Sequence, residues 1–151
     1  MKSYVANPIH EGSASRFQST IVFFDGFCGL CDKTVDLLLR EDREGRLLYS
    51  PLQGETFQPV LKEHPDLAST DSIVVVHRDS SGQHVFTSSD AVLFALSRLP
   101  QFRWLTKAGY LVPRLVRDLG YRVVAAVRYR IWGKRDSCRL PTPEERIRFL
   151  P

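Results

Sequence analysis

Cysteine is scarce in this chain: there are three in 151 residues. That number is odd, and too small for the disulfide scaffold of a secreted mini-domain. No apolar run approaches the ~20 residues needed to span a bilayer. Residues 1–20 hold no apolar stretch of the length a signal peptide uses, so a cytoplasmic protein is expected. The 9 Gly and 9 Pro show no period, which excludes collagen-like and solenoid sequence. There is no internal repeat or low-complexity tract, and no nucleotide-binding glycine fingerprint, so no cofactor is expected. What remains, with 43% hydrophobic and 25% charged residues, is the composition of one ordinary globular domain.

Hydrophobic patterning orders that domain. Residues 1–19 are polar and turn-rich and read as a flexible arm, leaving 20–151 as the folded part: a core over 20–99 and a helical extension over 100–151. Ile21-Val22-Phe23-Phe24 is apolar on both faces, as in a strand buried mid-sheet. A helix from Cys28 to Arg40 follows, then a charged stop with Gly45 suited to its end. Leu47–Tyr49 is a short strand, and Gly54–Glu63 a short helix. Ile73–Val76 is another buried strand; Asp79-Ser80-Ser81-Gly82 is turn chemistry, returning through Val85–Thr87. Ser88 or Ser89 can cap a helix running to Leu99. This β-α-β-α-β-β-α order is that of a thioredoxin-like α/β core. Trp104–Trp132 is helical in pattern, interrupted at Pro113 and Gly120. Leu115, Leu119, Val123, Val127 and Ile131 form a stripe expected to bury on the core. A loop carrying Gly133–Leu140 comes after it.

Charge divides the chain. Up to residue 97 there are 8 Lys and Arg against 13 Asp and Glu; from Arg98 onward there are 13 against 4. The basic half reads either as a solvated arginine-rich helical face or as a surface for an acidic protein or anionic membrane. Nucleic acid is not the expected partner.

The sharpest chemical signal is Phe27-Cys28-Gly29-Leu30-Cys31. Two cysteines with this spacing at a helix start lie one turn apart, within disulfide reach. The first thiol sits where free N–H groups and the helix dipole favour a thiolate. Cys28 would attack a substrate disulfide, and Cys31, expected to be the deeper thiol, would resolve the mixed disulfide. Zinc sites share the spacing, and two buried structural thiols are the bland alternative. Asp25, at the strand end, has two readings: a proton carrier for Cys31, or a turn residue bonding the loop backbone.

Asp25-Gly26-Phe27-Cys28-Gly29-Leu30-Cys31 resembles the D-G-x-C-x-x-C signature of the DCC family of predicted thiol–disulfide oxidoreductases. The resemblance continues through Ser89-Asp90-Ala91, Arg128-Tyr129, Gly133-Lys134 and Cys138-Arg139-Leu140-Pro141. It implies a thioredoxin-like fold and dithiol chemistry, with no substrate attached. Better-known thioredoxin-like enzymes place a cis-proline before the third strand, where this chain has Thr70-Asp71-Ser72. Leu30 stands where thioredoxin has a proline inside its motif.

Cys138, flanked by Arg135 and Arg139, reads either as an accessory thiol in a positive environment or as a loop cysteine. The C-terminal helices are expected to bring it, with Arg128, toward the Cys28–Cys31 pair. His77 and His84 can face each other across the hairpin, and one could join the cysteines as a zinc ligand. The expected function is a thiol–disulfide oxidoreductase acting on a protein or small-molecule disulfide or thiol, supplied by an external reductant. The alternative is a zinc-binding or redox-switched adaptor with a basic partner-binding face.

Overall fold

A computed structural model describes residues 18–134, 136 and 140–151. Cys138, Arg135 and Arg139 therefore lie outside the described residues. Four strands form one sheet: β1 (Ser19–Phe24), β2 (Leu47–Pro51), β3 (Val74–Asp79) and β4 (Gly82–Thr87), in the order β2-β1-β3-β4. β1 and β2 run parallel, which requires a crossover, and helix α1 (Gly29–Glu41) supplies it. β3 runs antiparallel to β1 and β4.

Because side chains alternate across a strand, the fully apolar β1 feeds two cores. Val22 and Phe24 join Val35 and Leu38 of α1, Val75, and Ala91 and Ala95 of helix α3 (Ser88–Ser97) on one face. Ile21 and Phe23 join Phe57, Val60 and Leu67, around the short helix α2 (Gln58–Glu63), on the other. Burial of each such large side chain contributes roughly 1.5–3 kcal/mol. Helices on both faces of this sheet, in this order, make the core thioredoxin-like.

Two further helices follow, α4 (Arg103–Leu111) and α5 (Arg114–Trp132). Pro113 separates them, as its missing N–H and fixed φ dictate. The expected interruption at Gly120 does not occur, since α5 runs through it; a glycine weakens a helix interior without breaking it. The segment after residue 140 returns to the sheet. Leu150 N–H donates to Tyr49 O (2.8 Å) and Thr56 N–H to Pro151 O (2.8 Å). Arg148 meanwhile reaches the carbonyl of buried Asp42 (2.8 Å).

The apolar stripe of α5 overturns its expectation. Leu115, Leu119, Val123 and Ile131 are exposed. The helix instead turns Arg117, Asp118 and Arg128 inward, because those have partners on the core. Arg117 pairs with Asp90 (2.8 Å), Ser89 Oγ donates to Asp118 (2.5 Å), and Arg128 pairs with Asp71 (2.8 Å).

Candidate active site

The end of β1, the start of α1 and the last turn of α5 converge on the two cysteines. Cys28 is the N-cap of α1 in an extended conformation (φ −97°, ψ 118°). It is held there by its own N–H donating to Asp25 O (3.2 Å), while its carbonyl receives Asp32 N–H (3.0 Å). Its Sγ accepts the Cys31 N–H at 3.4 Å. This is the position at which a cap side chain satisfies a free donor of the first turn. Both cysteines are free thiols.

Their depths reverse the expectation. Cys28 is fully buried and Cys31 is partly exposed. The cover over Cys28 is the backbone just beyond α5. Cys28 and Lys134 form an antiparallel bridge, and Gly29 N–H donates to Gly133 O (3.4 Å). Gly29 is required by this approach: a Cβ there would lie 2.5 Å from Trp132 O. Gly133, at φ +76°, adopts the left-handed conformation that lets the chain leave α5 and cross the motif.

Cys31 lies on the wall of an apolar cleft of about 390 Å³, with Leu30, Ile73, Val92, Tyr121 and Arg128 among its neighbours. Burial holds its thiol protonated, and the hydrogen bond and charge of Cys28 push in the same direction, up to about 12; Arg128 and the Asp25 backbone oppose them.

Asp25 is buried at the base of the motif. One carboxylate oxygen accepts Phe27 N–H (3.0 Å) and Gln53 Nε2 (3.4 Å). The other accepts the Tyr129 hydroxyl and lies 3.9 Å from the Arg128 guanidinium. Asp25 thus bonds the turn backbone, as one reading of it expects, and also anchors a polar network that reaches α5. Burial, and then the bond to Asp25, push the Tyr129 hydroxyl up to about 12. Arg128 is only 2% exposed. It donates to Asp71 (2.8 Å) and to the Tyr129 hydroxyl (3.1 Å), and its Nε has no partner among the described residues.

Sequence reasoning gave no role to Tyr129, Asp71 or Gln53. Tyr129 was visible beside Arg128 in the resemblance. Asp71 occupies the loop before β3, a position noted only for what it lacks. His77 and His84 do pair across β3 and β4, with rings 6.5 Å apart. His77 bonds Thr20 (2.9 Å). Among the described residues no group of three or more His, Cys, Asp or Glu is arranged to hold a metal.

A thioredoxin-like core with a Cys-x-x-Cys pair at the start of its first helix, beside a buried carboxylate, defines a class of dithiol proteins. Within that class this chain belongs to the DCC1-like thiol-disulfide oxidoreductase family, whose profile matches residues 22–134. It is 33% identical over 140 residues to the uncharacterized protein YuxK of Bacillus subtilis, covering 92% of this chain and 99% of that one. It is also 33% identical over 127 residues to a chloroplastic DCC family protein of Arabidopsis thaliana, covering 80% and 69% of the two chains. No solved structure matches the chain significantly.

Proposed function

We propose that the protein catalyses thiol–disulfide exchange through Cys28 and Cys31, with Cys28 as nucleophile and Cys31 as resolving thiol. The observation that carries this reading is the asymmetry of the pair. Cys28 Sγ receives a helix N-terminal N–H, whereas Cys31 is held protonated by burial and by Cys28. Cys28 is therefore the attacking sulfur, and it reacts as the thiolate, the nucleophilic form of a thiol. It attacks one sulfur of a substrate disulfide, forming a mixed disulfide and expelling the other sulfur as a thiolate.

Forming the mixed disulfide removes the negative charge of Cys28. Two of the three influences holding the Cys31 proton then vanish, and Arg128 continues to favour the anion. Cys31 loses its proton toward Asp25, attacks Cys28 Sγ and releases the second substrate thiol. The protein is left as a Cys28–Cys31 disulfide, oxidised by two electrons, and an external thiol reductant restores it. Because Cys28 is covered by residues 132–134, this segment must shift for a substrate to reach it. The test is the rate at which reduced protein cleaves a small disulfide, such as oxidised glutathione. Cys28→Ser abolishes the reaction and Cys31→Ser halts it after one adduct; unchanged turnover in either variant overturns the proposal.

A further inference from the structure

The outward face of α4 and α5 has no covering layer among the described residues. Leu115, Leu119, Val123 and Ala126 recur at helical spacing along one side of α5 and are all exposed. Trp104, Ala108 and Leu111 do the same on α4. Trp104 is 70% exposed, Leu111 85% and Leu115 86%, and large apolar side chains exposed together mark interaction surfaces more than singly scattered ones do. The patch is also strongly cationic. From Arg103 to Trp132 there are seven Lys and Arg and a single Asp. Arg114, Arg117 and Arg128 are paired with acidic residues, and Asp118 is taken by Arg114 and Ser89. Arg103, Lys107, Arg122 and Arg130 are exposed and make no ion pair among the described residues.

We propose that this α4–α5 face docks on an anionic lipid bilayer surface, independently of the dithiol reading. An apolar helical stripe carrying tryptophan and set among unpaired cations matches the acyl boundary and the phosphate layer of such a surface. Trp104, near the start of α4, supplies an interfacial aromatic ring. No helix among the described residues is long and apolar enough to cross a membrane, so the contact lies in the interface plane. A second copy of the chain fits less well. A two-fold contact would oppose the same unpaired cations with no free acidic residue on the face to meet them.

The experiment is flotation of the full chain with phosphatidylcholine vesicles, with and without phosphatidylserine, while tryptophan emission is followed. The protein is expected to float with the anionic vesicles, with a blue shift in emission and loss of binding as salt rises. Arg122→Gln with Arg130→Gln weakens partitioning by about 25-fold, roughly five-fold for each cation at the surface. Leu115→Glu with Leu119→Glu removes it. Both pairs retain the wild-type thermal unfolding midpoint to within a few degrees, which separates a lost surface from a lost fold. Absence of binding at low salt overturns the proposal and leaves an acidic protein as the occupant. Equal binding to neutral vesicles without salt dependence also overturns it. So does a dimer, formed without lipid, that Leu115→Glu dissociates.

Discussion

Replacing Asp25 by Asn separates proton transfer from architecture. Every neighbour of the carboxylate is a donor: Phe27 N–H, Gln53 Nε2, the Tyr129 hydroxyl and, at 3.9 Å, Arg128. An Asn that keeps its oxygen toward Phe27 and Gln53 turns its amide toward Tyr129. That hydroxyl already accepts from Arg128, and its own proton then loses its acceptor. One buried unsatisfied donor costs about 1–3 kcal/mol. Arg128 keeps Asp71 at 2.8 Å, so the larger cost of an unpaired buried guanidinium does not arise. For a chain of this length the expected fall in Tm is about 2–4 °C per kcal/mol. If Asp25 receives the Cys31 proton, the resolving step slows by about 10²–10⁴-fold. Tyr129→Phe is the control, since it breaks the same hydrogen bond and leaves the carboxylate. Stopped-flow measurement of the second thiol released, alongside thermal denaturation, reads both effects. A resolving rate in Asp25→Asn within a few-fold of that in Tyr129→Phe refutes the proton-transfer role and leaves Asp25 as an anchor of the turn.

Further expectations follow from the same geometry. Gly29→Ala forces the Trp132 carbonyl away from the motif, at a cost of about 1–3 kcal/mol; Cys28 should then alkylate several-fold faster, read by intact mass. Tyr49→Phe removes a buried hydroxyl that has no partner among the described residues, and chemical denaturation should show stability raised by about 1 kcal/mol. Because the folded protein holds the Cys31 proton up to about 12 while an unfolded thiol releases it near ~8.5, this group's stabilisation is complete below the unfolded value. It is lost as pH rises through the interval between them. Cys31→Ser should therefore flatten the alkaline fall in stability measured by urea titration.

The core was legible because β1 and β3 are runs of apolar β-formers, and a strand apolar on both faces has only the middle of a sheet to occupy. β4 was not fully legible. It begins at Gly82, three residues before the expected Val85, because the backbone of Gln83 and His84 pairs with β3 whatever their side chains are. The orientation of α5 was hidden for a different reason. Periodicity shows which residues share a helix face and is silent on which face meets the core. A signal did exist in the charge asymmetry: Asp25, Asp71 and Asp90 lie in the acidic half, and Arg114, Arg117 and Arg128 in the basic half. Part of that imbalance closes within the chain as the contacts that dock α5. At the site, the Cys-x-x-Cys spacing gave the pair and its helix start. The relative depth of the two thiols depends on residues 132–134, a hundred positions away, and no local pattern encodes it.

The division of labour between the two sulfurs is tested most directly by trapping the mixed disulfide. Reduced Cys31→Ser and Cys28→Ser proteins are mixed with a small disulfide, quenched in acid, and mapped by intact mass and peptide analysis. The asymmetry of the pair predicts a stable adduct on Cys28 in Cys31→Ser, formed at the rate of the first wild-type step, and little adduct on Cys31 in Cys28→Ser. A faster and more complete adduct on Cys31 would contradict it, assigning attack to the exposed sulfur beside the apolar cleft.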